Sequence, residues 1–289
     1  MRKENQNVVL LDCGDMFTKS KKPSELRAKT IARSMDLMKY DAVNLADEEV
    51  NMGLSFFTET ATEFHMPMVS ANVKFKKETD RKLLKTIIVK SLSGLKVGIT
   101  GVTPEVFFKG DVSDKNNLII DQDIHKALTS SVAEMKKEGA DFTIALTHMS
   151  NEAARNFLQL NDVPGLSLAI GGHGRFLSPD AVKIKETYFV QNSASGEHLG
   201  VIKVRFNDKN VPVSLAYNDV TLSMDLPEEP KIAQIVKNFD LESIKIEEES
   251  RKTEDKVKEA EALKKVLDLK PEEFVKKMKG KEGQTVPLD

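Results

Sequence analysis

Four short apolar runs in this chain each end abruptly in a residue that can ligate a metal ion or carry a proton. The run at 166–170 leads into Gly171-Gly172-His173-Gly174-Arg175, a glycine turn that presents an imidazole. The run at 8–11 ends in Asp12-Cys13-Gly14-Asp15, that at 41–45 in Ala46-Asp47-Glu48-Glu49, and that at 142–146 in Thr147-His148. Open α/β sheets place their ligand sites in the crevice at the carboxyl ends of the strands. Asp15, Asp47, His148 and His173, delivered to one such edge from four strands, are therefore expected to form a single metal-binding site.

The segments between these ends must supply the scaffold. A helix is expected from Pro23 onward, because Ala28, Ile31, Ala32, Met35 and Met38 recur on one face. Further helices are expected at 53–64, 123–138 and 151–160, and strands at 67–73, 188–191 and 199–206. The runs at 86–92 and 95–102 flank Ser93-Gly94 and predict a β-hairpin. Alternating strands and helices of this kind imply an α/β sandwich with both sheet faces covered. Beyond Pro227 the chain becomes dense in Lys and Glu, with sparse apolar positions at Val257, Ala260, Leu263 and Leu267. Pro271-Glu272-Glu273-Phe274 predicts a fresh helix with proline in its first turn. The expected division is a domain at 1–226 and a charged helical extension at 227–289, which is either a solvated tail or a helix that binds a protein partner.

Composition narrows the classes of function. The chain has 289 residues and a formal net charge of −2, which argues against bulk electrostatic binding to nucleic acid. It contains no Trp and three Tyr, too few for stacking-based capture of single strands. No apolar run approaches the roughly 18 residues of a membrane span, and the first residues lack the apolar core of a signal peptide. The single cysteine, Cys13, excludes an internal disulfide and is expected as a small buried apolar residue rather than a ligand or nucleophile. Glycine-rich dinucleotide and phosphate loops and a nucleophilic serine elbow are all absent.

The ordered set Gly14-Asp15, Ala46-Asp47-Glu48-Glu49, Thr147-His148 and Gly172-His173-Gly174-Arg175 resembles the calcineurin-like metallophosphoesterases, and more closely their 5′-nucleotidase and UDP-sugar hydrolase branch. Met68-Val69-Ser70-Ala71-Asn72-Val73, the strand at 96–102 and the late turn Gln191-Asn192-Ser193-Ala194-Ser195-Gly196 support it. The resemblance runs from about Val8 to Asn207. It implies a four-layer α/β/β/α sandwich and hydrolysis of a small phosphate ester or nucleotide by metal-activated water. Asp15 matches the carboxylate shared between two ions in the family. Asp47 stands where the family has an asparagine ligand, and His148 and His173 match two imidazoles on one ion, which suits Zn, Mn, Fe or Co.

The departures are as informative as the matches. Arg175 replaces the family's final ligand, and a guanidinium cannot ligate a metal. The family's first Asp-x-His motif has no counterpart, so one ion rather than two is expected, and the chain reads as lacking the family's first strand. Glu48 replaces a histidine linked to the leaving group; it is a candidate proton donor if its pKa is raised. Arg175 either grips an anionic substrate or pairs with Asp15 or Glu48. Asn72 is either a donor at the substrate or a satisfied turn residue. His198 is a candidate to line the cleft, whereas His65 and His125 read as surface residues. The resemblance further implies an exported or periplasmic location. A metal-dependent phosphoester hydrolase is the leading expectation, and a catalytically inactive relative that binds a metal, anion or partner is the alternative.

Overall fold

The computed structural model describes residues 5, 7–108, 117–193 and 195–267. Two sheets face each other across an apolar core, with helices on their outer sides. The first sheet is parallel, in the order β1 (Leu11–Asp12), β2 (Ala42–Asn44), β3 (Met68–Val69), β5 (Leu84–Lys85). The second has six strands in the order β11 (Val182–Ile184), β12 (Thr187–Gln191), β10 (Leu168–Gly171), β9 (Phe142–Thr147), β7 (Leu95–Val102), β6 (Ile88–Leu92). Its four central strands are parallel, and β6 and β11 join antiparallel at the edges. The expected hairpin is β6–β7, turned by Ser93 and Gly94, both at positive φ (47° and 91°), as a two-residue turn requires.

Ala42 and Val69 of the first sheet meet Ile99, Ile144, Leu146 and Leu168 of the second in one buried cluster. The approach is tightest at Gly101 on β7, where a Cβ would lie 2.1 Å from the Asn44 side-chain oxygen and 2.9 Å from the Val69 carbonyl. Gly101→Ala should therefore cost about 2 kcal/mol or more, read as a lowered midpoint in urea unfolding. Helices α1 (Ser24–Met38), α2 (Asp47–Asn51) and α3 (Leu54–Glu63) belong to the first sheet's side. Their Ala28, Ala32, Met35, Val50, Phe57 and Ala61 share a cluster with Val43 and Met68. Helices α5 (Ile124–Lys137) and α6 (Asn151–Leu160) cover the second sheet through Leu128, Val132, Met135, Ala154 and Leu158. The layering is thus α/β/β/α, as the resemblance implied. Side-chain caps fix two of these helices where the sequence places Asp123 and Ser150, which accept from Lys126 N at 2.9 Å and Ala153 N at 3.3 Å.

Three local departures have physical causes. The first strand is shorter than the apolar run at 8–11 and lies at Leu11–Asp12, because the chain there pairs only with Ala42 and Val43. The expected strand at 67–73 is broken into β3 and β4 (Val73–Phe75), since Ser70 Oγ accepts from Val73 N at 3.1 Å and turns the backbone. After a short helix α4 (Glu78–Arg81), a second small pairing follows, β4 with β8 (Leu118–Ile120). Beyond β12, β13 (His198–Phe206) and β14 (Pro212–Thr221) form a long hairpin, its second strand unanticipated from sequence.

The chain divides into two compact units, Met1–Val236 and Lys237–Asp289. A 38-residue helix, α7 (Pro230–Leu267), carries the charged sequence, and its Val257 and Leu263 are exposed. The helix expected at Pro271 lies outside the described residues. Among the described residues no helix is long and apolar enough to cross a membrane.

Candidate metal centre

The site lies at the shared carboxyl edge of both sheets. β9 and β10 are parallel neighbours with Thr147 opposite Gly171, so His148 and His173 emerge side by side. His148 N donates to the Val102 carbonyl at 2.9 Å and Gly172 N to the Thr147 carbonyl at 2.9 Å, which continues the ladder past the strand ends. From the facing sheet, β1 and β2 send out the loops bearing Asp15 and Asp47. Asn44 at the end of β2 ties three of these segments together, donating to Cys13 O at 3.2 Å and to Thr103 Oγ1 at 3.0 Å. Gln191 Nε2 holds the His173 carbonyl at 2.8 Å.

The structure brings Asp15, His148 and His173 together, with one ligand atom of each within 4.8 Å of the others. His173 Nδ1 lies 3.2 Å from His148 Nε2, and Asp47 Oδ1 lies 3.4 Å from the same Nε2. Two donors each about 2.0–2.2 Å from a common ion stand about 2.8–3.6 Å apart on a tetrahedral or octahedral shell. Both measured separations fall in that range, so the residues present fit a divalent ion. Asp47 reaches the group through His148 and is not one of the three mutually close ligands.

The electrostatics agree. Burial raises the Asp15 carboxyl above its ordinary range, partly offset by His148, and the nearby Asp47 and Glu48 carboxylates push it further up. Burial and the adjacent His148 lower the His173 pKa, so its imidazole is neutral with a lone pair to give, although Asp47 opposes the shift. Crowded carboxylates beside two imidazoles form a donor set that a cation relieves. The ring of Phe107 packs on both imidazoles, at centroid distances of 4.7 Å from His148 and 4.6 Å from His173. His148 is buried, and its Nδ1 has no partner among the described residues.

Asp15 stands at φ 67°, in the left-handed region, after Gly14 at φ 87°. The device that holds this loop is Glu49, which the sequence reading noted only as an acidic neighbour. Glu49 is fully buried, and its carboxylate accepts from Asp15 N (3.1 Å), Met16 N (2.8 Å), Phe17 N (3.3 Å) and Ala46 N (3.0 Å). The bond to Ala46 N is one half of a capping box at the start of α2. One side chain thus joins the loop bearing Asp15 to the turn bearing Asp47. Burial, and then repulsion from Asp15, pushes the Glu49 carboxyl up to about 7 despite these bonds.

Other candidates fall elsewhere. Glu48 is half-buried at the rim, 3.5 Å from Lys19 N. Arg175 is exposed, and no ion pair to Asp15 or Glu48 forms among the described residues, so the pairing alternative for it is not what the structure shows. Asn72 corrects the expectation of a donor at the substrate. It is buried, and its amide is spent on Thr103 O (2.8 Å), Asp121 O (3.3 Å) and Thr103 N (3.0 Å), which makes it the satisfied turn residue. Cys13 packs against Gly172, donates to the Ile170 carbonyl at 3.4 Å, and burial drives its thiol pKa up; it is inert. His65 is exposed, and half-buried His125 contacts the Asp162 carbonyl at 2.7 Å. His198 pairs with Asp219 at 2.8 Å. Phe107 escaped the sequence reading because it lies in no periodic or motif-bearing stretch, and Gln191 was noted only as part of the late turn, with no sign that its side chain holds the His173 carbonyl.

Comparison with known proteins places this geometry in context. No protein-family model matches the chain. Over 243 residues, 71% of this chain and 17% of the other, it is 29% identical to the trifunctional nucleotide phosphoesterase protein YfkN of Bacillus subtilis (strain 168). Over 255 residues, 80% of this chain and 43% of the other, it is 27% identical to the 5′-nucleotidase of Mus musculus. The chain thus spans less than half the length of these curated relatives. Its fold matches the crystal structure of the calcineurin-like phosphoesterase YfkN from Bacillus subtilis with a TM-score of 0.65 at 22% identity, covering 85% of this chain and 86% of that one.

Proposed function

We propose that this chain, which resembles the 5′-nucleotidase branch of the calcineurin-like phosphoesterases in sequence and fold, is the metal-bearing part of a metal-dependent phosphoester hydrolase acting on a nucleotide-like substrate. The observation that carries this reading is the convergence of Asp15, His148 and His173 within 4.8 Å at the shared carboxyl edge. Asp47 completes the set, and the ligands serve one divalent ion, of Zn, Mn, Fe or Co type. Such an ion, when bound, polarises a phosphoryl oxygen and makes a water molecule acidic enough to attack phosphorus.

The chain's own residues supply the rest. Glu49 holds the Asp15 and Asp47 loops in register through four backbone hydrogen bonds. Phe107 packs on the two imidazoles and restricts their rotation. Arg175, exposed beside His173, is the clamp for the phosphoryl group. Glu48 at the rim is the proton donor to the leaving oxygen. Residues 1–226 form the hydrolytic domain, and an exported or periplasmic location goes with this reading on the strength of the resemblance.

The test is metal analysis of the purified protein together with hydrolysis of a nucleoside 5′-monophosphate and of an aryl phosphate, each with added Mn²⁺ or Zn²⁺ and with a chelator. About one ion per chain and turnover that the chelator abolishes are expected. Stoichiometric metal without turnover on either ester would mark the chain as a binding protein, and absence of metal under every condition would end the metal-based reading.

A further inference from the structure

The β13–β14 hairpin ends in a polar cluster that the mechanism above leaves unused. Alternation along β13 puts His198, Gly200, Ile202, Val204 and Phe206 on one face, and Ile202, Val204 and Phe206 pack on the core between the sheets. Phe206 meets Phe142, the first residue of β9, at 5.8 Å, and Asn210 Nδ2 reaches the Gly94 carbonyl ahead of β7 at 3.2 Å. The far end of the hairpin is thus anchored at the amino edge of the sheet. Eight residues of strand separate it from His198, roughly 26 Å at about 3.3 Å per residue, which carries His198 to the carboxyl edge. Two hydrogen bonds on consecutive residues confirm the placement: Gln191 holds the His173 carbonyl, and Asn192 Nδ2 holds the His198 carbonyl at 2.8 Å.

At that edge His198 Nδ1 lies 2.8 Å from Asp219 Oδ2, and both side chains are about one-fifth exposed (21% and 23%). The pair with Asp219 fixes the ring through Nδ1 and leaves Nε2 to meet a ligand, and this nitrogen makes no hydrogen bond among the described residues. Behind it, Asp219 Oδ1, Tyr217 Oη and Asn192 Oδ1 are buried without partners among the described residues. Tyr217 Oη can donate within this cluster, and His198 Nε2 is the atom through which the cluster can meet a ligand.

We infer that His198, oriented by Asp219, is a specificity-determining residue whose Nε2 hydrogen-bonds a hydroxyl on the alcohol half of the phosphoester, so that sugar-bearing esters are preferred over aryl esters. The inference rests on the hydrolytic reading above. A site built to bond a hydroxyl discriminates against an analogue that lacks it, because its polar atoms are then left unpaired. Phosphate capture and turnover at the metal are separate from this contact, so an ester without hydroxyls is indifferent to His198.

The experiment compares kcat/KM for a nucleoside 5′-monophosphate with that for an aryl phosphate in the metal-loaded protein and two variants. His198→Asn keeps an amide donor near the Nδ1 position for Asp219 but has nothing at Nε2. His198→Gln places a polar atom near Nε2. The ratio of the two kcat/KM values should fall about tenfold in His198→Asn, with metal stoichiometry unchanged, and recover in part in His198→Gln. An unchanged ratio in His198→Asn, or equal losses on both esters, would overturn the inference. A wild-type protein that turns over the aryl ester while either of those results holds leaves the hydrolytic reading standing. A wild-type protein that turns over neither ester would overturn both.

Discussion

His173→Ala should abolish stoichiometric metal binding and lower hydrolysis by at least about a hundredfold while leaving the fold intact. His173 is one of three ligands within 4.8 Å, and its Nδ1 faces His148 Nε2 at 3.2 Å. Its loss removes an imidazole donor and leaves the Asp15 carboxyl already held above its ordinary range by burial. The remaining donors keep only the His148 nitrogen beside the carboxylates, too few nitrogen ligands to favour a transition metal strongly. The side chain is only partly buried, so removing it creates no enclosed cavity, and the unfolding midpoint should shift by an amount worth less than about 1 kcal/mol. Metal content by emission spectroscopy, kcat/KM and a urea melt on the same sample separate loss of ligand from loss of fold. A variant that retains one ion per chain would remove His173 from the metal site.

Glu49→Ala should be the most damaging substitution near the site, costing about 3 kcal/mol or more, although Glu49 is not itself a ligand. Four backbone N–H groups, those of Asp15, Met16, Phe17 and Ala46, lose their acceptor at once, and Phe17 is itself fully buried. The loops bearing Asp15 and Asp47 lose their common anchor, so metal affinity should fall along with stability. The effect carries a pH signature. The folded carboxyl titrates at about 7 against an ordinary 4.5, so between these values the folded chain holds a proton that the unfolded chain has released. Stability of the metal-free wild type should therefore fall as pH rises from about 4.5 to 7 and level off above it, at about 1.4 kcal/mol per unit of difference between the two pKa values. Glu49→Ala should lack this component, so its deficit is greatest at and below about pH 4.5 and smallest above about 7. Denaturant melts of both proteins across that range, with chelator present, measure it. Parallel pH profiles would show that Glu49 does not titrate in the folded state.

Much of the architecture was legible before any coordinate. Ala28, Ala32 and Met35 recur at helical spacing and are buried in α1; the run around Ile144 and Leu146 is wholly buried in β9. Such patterns are local, because the periodicity of a strand or helix is written in consecutive residues. The strand at 67–73 misled because Ser70 and Asn72 use their side chains on backbone groups, two of them in distant segments, Thr103 and Asp121. Asn72 shows the same limit at the site: a polar residue in a motif looks available until its partners are known.

The candidate metal residues were legible for a related reason. A parallel sheet delivers every strand end to one edge, so Asp15, His148 and His173 could be grouped from their positions after apolar runs alone. What sequence could not rank was the acidic turn. Glu48 and Glu49 are adjacent and chemically alike, yet one sits at the rim and the other is sealed beneath the loop. Nor could it show Phe107 on the two imidazoles, or His198 facing Asp219, 21 positions away on the same hairpin. The sequence by itself determined the order of strands and helices and which residue types reach the carboxyl edge, since both follow from local pattern and strand direction. The tertiary structure alone decided which carboxylate of the acidic turn faces the imidazoles, which is the buried anchor and which stays at the rim. Those outcomes depend on burial and on the partners brought by distant segments, and neither is written in neighbouring residues.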